Sequence, residues 1–238
     1  MKCNNLFLYL IIFVFFIYLY INFKTNIENF FNLKKKIPKT IISTYHSKNK
    51  IPQKIYDNIK IFSIGYKHLV FDDIEIKSFL KKNYPTNVLD TFNSLKGAHK
   101  ADLFRYCYLY KHGGIYLDIK TELIKDINKI FNIDNVQFYT VISGGRYKNT
   151  IYQGIIATIP RNPFFESLIK YMVEIKKPVR YYQSFTKDFY NKLKEKYSRK
   201  ESLKSGFYPE KEINLYLFQE KCNTKRKNCN DGLDRYGR

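Results

Sequence analysis

Tryptophan is absent from this chain of 238 residues, and methionine, histidine and cysteine are each present four times or fewer. The cysteines are Cys3, Cys107, Cys222 and Cys229, and no histidine near them has the spacing that completes a zinc site. The sequence also lacks zinc-finger spacing, a basic-zipper heptad and an aromatic RNA-binding signature. No internal repeat is visible. These absences exclude the common nucleic-acid-binding and repeat classes.

Acidic residues are scarce, with 21 Asp and Glu against 42 Lys and Arg, so the net charge is +21. The lysines are spread along the chain beside abundant Asn, Ile, Phe and Tyr, a composition typical of an AT-rich genome. We therefore predict no nucleic-acid partner, although a positive surface suits a phosphate-rich ligand or an anionic membrane. A hydrophobic fraction of 45% excludes a largely disordered chain and is enough for one domain with a sizeable core.

Charge is missing altogether from residues 3–23, and residues 6–23 are almost wholly apolar. A run of about 20 apolar residues is long enough to span a bilayer as a helix. The run lacks the small-residue site at which a signal peptide is cleaved. The sequence therefore predicts a transmembrane signal anchor over residues 1–24, followed by a basic stem over residues 25–36.

The most informative stretch runs from His99 to Lys120. Apolar residues recur at three- and four-residue steps over 97–112, which predicts a helix. Gly113 and Gly114 end this helix, and the apolar, β-branched run 115–119 predicts a buried strand. Asp118 then lies near the carboxyl end of the strand, where ligands bind in open α/β sheets.

Asp102 and Arg105 are three residues apart on the predicted helix, so they share a face. A carboxylate and a guanidinium on one face can bind the hydroxyls and phosphates of a ligand. The alternative is an ordinary ion pair on a solvated helix.

At this point the sequence resembles a family. The strings Ala101-Asp102-Leu103-Phe104-Arg105-Tyr106 and Gly113-Gly114-Ile115-Tyr116-Leu117-Asp118 resemble the sugar-nucleotide-binding region of the DXD-containing glycosyltransferases, which include fungal α-mannosyltransferases and are related to glucosylating bacterial toxins. Three weaker motifs follow the family's order: Ile37-Pro38-Lys39, Phe71-Asp72-Asp73 and Asn162-Pro163-Phe164. The resemblance covers roughly residues 37–175.

The resemblance implies an α/β fold of GT-A type, with a Rossmann-like, mixed and mostly parallel sheet flanked by helices. It implies transfer of a hexose, with retention, from a nucleotide-sugar donor to a glycan, protein or lipid acceptor. Residues at the family's positions are assigned by analogy. The predicted catalytic residues are Asp118 and Lys120, and the predicted donor-binding residues are Asp102, Arg105, Thr44, Tyr45, Asp73 and Tyr116.

Two of these assignments have simpler alternatives. Tyr45 matches the place where an aromatic ring stacks on the base, but it also suits an ordinary strand end. Asp72 or Asp73 could hold ribose hydroxyls, although capping of the next helix is the simpler interpretation.

The tripeptide Asp118-Ile119-Lys120 departs from the family's Asp-x-Asp. An ammonium group cannot ligate Mn²⁺ or Mg²⁺, which prefer carboxylate and water oxygens. Asp118 and a second carboxylate could hold the metal, with Glu122 a candidate if the chain turns at Lys120. Alternatively, Lys120 itself supplies the positive charge, since side chains alternate along a strand and residues 118 and 120 face the same side if the strand continues. Lys120 could instead mark a degenerate transferase that binds nucleotide-sugars or glycans without turnover.

The predicted glycosyltransferase domain covers residues 37–220, before a polar tail over 221–238. The positive-inside rule directs this domain to the cytosol, whereas the resemblance directs it to the lumen of an ER- or Golgi-like compartment as a type II protein. We favour the lumen. A disulfide between Cys222 and Cys229 would agree with that compartment, and two free thiols would not.

The remaining pattern of apolar runs, prolines and helical spacing predicts further elements. The predicted strands cover residues 40–45, 67–71, 137–143, 155–159 and 213–218, and the predicted helices cover residues 52–62, 74–82, 163–176 and 186–196. Residues 85–94 are predicted to form a short helical or irregular connection.

Overall fold

A computed structural model describes residues 3–33, 36–144, 147, 149–175, 184–198 and 201–220, with side chains within 3–33 described for 9–25. Seven strands form one sheet: β1 (Thr40–Thr44), β2 (Lys67–Phe71), β3 (Gly114–Leu117), β4 (Phe138–Ile142), β5 (Ile151–Thr158), β6 (Gly206–Tyr208) and β7 (Leu215–Gln219). The helices are α1 (Cys3–Leu33), α2 (Gln53–Phe62), α3 (Asp73–Asn83), α4 (Thr86–Ser94), α5 (Ala98–His112), α6 (Ile127–Ile130), α7 (Pro163–Glu174) and α8 (Ser184–Leu193). A 3-10 turn covers Lys48–Lys50, and a π-helical turn over Lys194–Ser198 follows α8.

The strand order across the sheet is β2-β1-β3-β5-β4-β7-β6. Strand β1 runs parallel to β2 and β3, and β4 runs parallel to β7. Strand β5 is antiparallel to both β3 and β4, and β6 is antiparallel to β7. The α/β class and the mixed sheet are thus as predicted. The prediction of a mostly parallel sheet is confirmed as well, because five of the seven described strands run in the same direction and β5 and β6 run the opposite way.

Helices cover both faces of the sheet, and the alternation of side chains along each strand divides the core accordingly. Ile42 and Tyr116 point to the face packed by α3, α4, α5, α7 and α8. Ile41, Ile115 and Leu117 point to the opposite face, which α2 and α6 cover. Consecutive apolar residues in β1 and β3 therefore mark strands that are buried on both sides.

The connection between α5 and β3 depends on two glycines. Gly113 ends α5 at φ +65°, and Gly114 opens β3 at φ +103°, a region that side chains with a Cβ rarely adopt. A Cβ on Gly114 would lie 2.7 Å from the carbonyl oxygen of Thr40, so β3 can pair closely with β1 only when this residue is glycine. The predicted helix end and strand start are confirmed here.

Two of the predicted boundaries that differ from the structure lie beside Asp118 and Gly154. Strand β3 ends at Leu117, and the amide of Thr121 donates to the carbonyl of Asp118 at 2.8 Å, which closes a turn over Ile119 and Lys120. The prediction that the strand continues through Ile119 is wrong, because this local turn competes with further pairing. Strand β5 begins at Ile151, four residues earlier than predicted.

Helix α1 covers the predicted anchor and continues through much of the predicted stem, to Leu33. Its described apolar side chains, from Tyr9 to Phe23, are exposed. Within the described part of the chain, however, no helix combines the length and apolar content needed to cross a bilayer. Thus the predicted transmembrane span is not confirmed. The predicted Cys222–Cys229 disulfide and the tail lie outside the described residues.

Candidate functional site

The candidate site lies at the edge of the sheet where β1 and β3 end. Asp118 directly follows β3, and its backbone amide donates to the carbonyl of Gly154 on β5 at 2.8 Å. The side chain of Asp118 is 42% exposed, although the strand before it is fully buried. Asp118 therefore presents its carboxylate at the surface from a firmly paired backbone.

Arg105 lies beneath this carboxylate and is almost fully buried. One of its terminal nitrogens, Nη2, is 3.2 Å from Oδ1 of Asp102 and 3.8 Å from Oδ1 of Asp118. The other, Nη1, donates to the carbonyl of Gln153, and the guanidinium lies over the ring of Tyr116 at 4.3 Å. Burial alone lowers the pKa of Arg105, but Tyr116 and the two carboxylates outweigh it and raise the pKa. The guanidinium is a permanent, compensated charge.

Tyr116 joins the two strand ends. Its phenol donates to Oδ1 of Asp118 at 3.1 Å and also lies 3.1 Å from the hydroxyl of Thr44, the last residue of β1. Burial raises the pKa of Tyr116 far above its usual range, and Asp118 raises it further while Arg105 opposes the shift. Since the phenol stays protonated, it acts as a hydrogen-bond donor that fixes one oxygen of Asp118.

Asp102 completes the buried side of the cluster. Its Oδ2 is 3.3 Å from Nδ1 of His99, and its Oδ1 contacts Arg105. Asp102 is itself buried, so it reaches a ligand only through or beside Arg105. His99 was not predicted as part of the site. The signal that could have identified it is its i,i+3 spacing from Asp102, which places both residues on one face of α5.

Strand β5 supplies a further wall of the site. A Cβ on Gly154 would lie 2.5 Å from the phenol of Tyr152 and 2.8 Å from Oδ2 of Asp118. Gln153 is buried and accepts a hydrogen bond from the phenol of Tyr106 through Oε1. Its Nε2 has no hydrogen-bond partner among the described residues. The absence of a side chain at Gly154 thus leaves room for the carboxylate of Asp118. The side-chain amide of the neighbouring Gln153 keeps a hydrogen-bond donor without a partner among the described residues.

The structure separates the two carboxylates that follow β2. Asp72 is the N-cap of α3: its side chain accepts from the amides of Ile74 and Glu75, and Glu75 caps back on the amide of Asp72. The capping interpretation is confirmed for Asp72. Asp73 is half exposed and pairs with Nζ of Lys100 at 2.9 Å. Asp73 is therefore free of the capping role.

The remaining predicted residues also lie at this edge of the sheet. Tyr45 directly follows β1, is partly exposed, and its ring lies 4.4 Å from that of His46. Lys120 is exposed in the turn after Asp118. The expectation that strand alternation places Lys120 on the same side as Asp118 loses its basis, since β3 has already ended.

The donor set does not fit a divalent ion held by protein side chains alone. Among the described residues, no three His, Cys, Asp or Glu side chains cluster closely enough to hold a metal. Asp118 is one carboxylate, and its Oδ1 is already engaged by Tyr116 and Arg105. Glu122 is exposed beyond the turn, and Lys120 occupies the place of the family's second aspartate.

The structure brings five predicted residues into one connected cluster, namely Thr44, Asp102, Arg105, Tyr116 and Asp118. Asp102 and Arg105 converge on Asp118 from beneath, instead of pointing away from it. Such a cluster offers an exposed carboxylate, a buried cation and a hydroxyl beside an aromatic residue, the groups that recognise hydroxyl-rich ligands.

Comparison with known proteins agrees with this chemistry. Residues 18–137, about half of the chain, match the family described as a glycosyltransferase sugar-binding region containing a DXD motif. An uncharacterized glycosyltransferase of Acanthamoeba polyphaga mimivirus is 30% identical over 132 residues, which are 55% of this chain and 52% of that protein. A mannosyl phosphorylinositol ceramide synthase of Saccharomyces cerevisiae is 29% identical over 145 residues, 59% of this chain and 36% of that protein.

A third relative, an inositol phosphoceramide mannosyltransferase of Schizosaccharomyces pombe, is 30% identical over 112 residues, 42% of this chain and 31% of that protein. The matched part thus spans about a third to a half of these relatives. The solved structure of PaToxG glycosyltransferase is similar with a TM-score of 0.49 and 15% identity, over 73% of this chain and 74% of that one. On the match over residues 18–137, the chain belongs to the family of glycosyltransferases with a DXD-containing sugar-binding region.

Proposed function

We propose that the protein is a membrane-associated glycosyltransferase that moves a hexose, with retention, from a nucleotide-sugar donor to a glycan, protein or lipid acceptor. The observation that carries the proposal is the cluster of Asp118, Arg105 and Tyr116 at the carboxyl edge of β1 and β3. In an α/β sheet this edge is where ligands bind, and the chain belongs to a glycosyltransferase family.

Asp118 makes the direct contact with the donor in this proposal. Tyr116 and Arg105 hold its Oδ1, so the orientation of the carboxylate is fixed before a ligand arrives. Oδ2 then accepts hydrogen bonds from hydroxyls of the ribose or the sugar. Asp102 and Arg105 support Asp118 from beneath, and the prediction that they also bind sugar hydroxyls and phosphates stays a prediction.

The other predicted residues extend the proposed donor site along the same edge. Thr44 and Tyr45 lie where β1 ends, with the ring of Tyr45 available to stack on the base. Asp73 has a half-exposed carboxylate that suits a ribose hydroxyl.

Negative charge accumulates on the nucleoside diphosphate as it leaves the sugar, and a cation must stabilise it. We propose that Lys120 provides this cation. Lys120 is exposed in the turn that directly follows Asp118, where the amide of Thr121 donates to the carbonyl of Asp118. Among the residues that the structure describes, no three His, Cys, Asp or Glu side chains lie close enough together to hold a metal ion.

The relatives' names suggest the donor sugar and the acceptor. Two of them are named for mannosyl transfer to inositol phosphoceramide, so mannose and a lipid-linked inositol phosphate are the first donor and acceptor to test. The exposed apolar side chains of α1 support membrane association. We place the catalytic domain in the lumen, as in the type II arrangement predicted from the resemblance.

The test is a screen of the purified full-length protein against a panel of nucleotide-sugars, GDP-mannose among them, with Mn²⁺ and with EDTA. We expect transfer, or hydrolysis of at least one donor, and we expect it to persist in EDTA. Complete loss of turnover in EDTA with rescue by Mn²⁺ would overturn the role of Lys120. Tight binding by calorimetry with no product under any condition would instead favour the degenerate binding module that Lys120 also suggests.

A further inference from the structure

The opposite edge of the sheet, where β1 and β2 begin, carries exposed apolar side chains. Ile61 lies in the last turn of α2, and Ile64 lies in the turn that leads into β2 and is 77% exposed. This turn is fixed by Gly65 at φ +84° and by a hydrogen bond from the amide of Tyr66 to the carbonyl of Ser63. Large exposed isoleucines on an ordered turn are typical of a surface that binds a partner.

Lysines surround these isoleucines. Lys39 and Lys67 are joined by a backbone hydrogen bond of 3.0 Å, and both side chains are exposed. Nζ of Lys39 lies 5.7 Å from the ring centre of Tyr66, and Lys60 precedes Ile61. Asp126 is the acidic neighbour here, within electrostatic range of Lys39 and Tyr66. We call Lys39 and residues 60–67 the strand-start edge.

Exposed isoleucines among lysines match one kind of partner, the surface of an anionic bilayer. The apolar side chains enter the headgroup boundary, while the lysines pair with anionic headgroups. The chain itself supports this choice, because the exposed apolar helix α1 ends at Leu33, only six residues before Lys39. The strand-start edge is therefore the part of the domain nearest in sequence to α1.

We propose that the strand-start edge is the membrane-contacting surface of the domain. The inference rests on the membrane association included in the proposed function, and not on the identity of the donor or acceptor. Strand β1 separates this edge from the site by roughly 13 Å of backbone, at about 3.3 Å per residue.

The chain contains no tryptophan, so a single introduced tryptophan is the only source of tryptophan fluorescence. The environment of that one position can therefore be measured directly. We would compare I64W with the matched control I74W. Ile74 is 79% exposed in the first turn of α3, at the site's edge of the sheet. The full-length variants would be reconstituted in phosphatidylcholine vesicles, with or without phosphatidylserine, and titrated with brominated lipid.

We expect the I64W emission to be blue-shifted and quenched by brominated lipid when phosphatidylserine is present, and the I74W emission to be unaffected. Adding Lys39→Glu and Lys67→Glu to I64W should abolish the quenching. Quenching of I74W but not of I64W would overturn the proposal, because it would show that the side of the domain that carries the site contacts the bilayer. A blue shift of I64W that depends on protein concentration and not on lipid would overturn it in favour of self-association. Because no donor or acceptor is present, the result is independent of catalysis.

Discussion

At the scale of single residues, the stability of the site depends on how its buried charges are compensated. Arg105 and Asp102 are both nearly inaccessible to water, and each is stabilised by the other and by polar neighbours. Removing one member of a buried pair leaves the other charge without compensation, which typically costs about 3–5 kcal/mol. The exposed carboxylate of Asp118 depends on this buried framework for its orientation.

We predict that Arg105→Met lowers the free energy of unfolding by about 3–5 kcal/mol. The double variant Asp102→Leu/Arg105→Met should lose less than the single variant, because no charge is then left unpaired. The matched control is Lys170→Met, which breaks an exposed pair with Glu174 at 3.8 Å and should cost about 0–1 kcal/mol. Urea denaturation of the full chain measures all three. Equal costs for Arg105→Met and Lys170→Met would contradict the role given to burial.

The departure at Lys120 also belongs to this scale. The sequence showed that a carboxylate is replaced by an ammonium, but not where the side chain lies. Strand alternation predicted its direction from β3, and β3 ended three residues too early for that rule to apply. The burial of Asp102 could not be predicted either, since an Asp-x-x-Arg pair looks the same on a solvated helix and beneath a carboxylate.

At the scale of elements, α3 shows how adjacent carboxylates take different roles. Asp72 satisfies two amides at the start of the helix, and Asp73 pairs across to α5 through Lys100. The sequence allowed capping by either residue, and the φ and ψ angles at the helix start select Asp72.

We predict that Asp72→Ala destabilises the protein by about 1 kcal/mol, because the capping box is lost. Asp73→Ala should change stability by less than about 0.5 kcal/mol, since its exposed ion pair contributes little. If Asp73 binds the donor, Asp73→Ala should raise the KM for the nucleotide-sugar and leave kcat largely unchanged. The reverse pattern, with stability lost at Asp73 and retained at Asp72, would contradict the assignment of the cap.

Strand β3 offers a second test at this scale. Gly114→Ala combines an unfavourable φ of +103° with a Cβ 2.7 Å from the carbonyl oxygen of Thr40. Gly97→Ala is the matched control, because Gly97 also has a positive φ, +51°, but no atom lies within 4 Å of the added Cβ. We predict that Gly114→Ala costs at least about 2 kcal/mol and Gly97→Ala about 1 kcal/mol. Thermal unfolding measures the difference, and equal costs would mean that the close contact with β1 is unimportant.

Periodicity and turn residues predicted most elements, because α5 and β3 are specified by local patterns and by two glycines. The direction of strands in the sheet was not predictable in this way. Strand β5 lies between β3 and β4 and opposes both, and this depends on pairings between residues about 40 apart in sequence, such as Gly114 and Thr158. The four-residue helix α6 and the three-residue strand β6 are too short for a periodic signal.

At the scale of the whole molecule, the sheet has two edges with different chemistry. The ends of β1 and β3 carry the exposed carboxylate of Asp118, and their starts lie beside lysines and isoleucines. The proposals assign two partners to the net charge of +21, a phosphate-bearing donor at the ends of the strands and anionic lipid at their starts.

The central claim is that Asp118 binds an activated sugar, and the most direct measurement is the turnover of nucleotide-sugar by full-length Asp118→Asn. The matched control is Asp126→Asn, which replaces a carboxylate beside the strand-start edge whose capping of α6 an asparagine can maintain. With the donor identified in the panel, we predict that Asp118→Asn lowers kcat/KM by at least about 100-fold, with unchanged thermal unfolding, and that Asp126→Asn does not. Wild-type turnover by Asp118→Asn would contradict the claim.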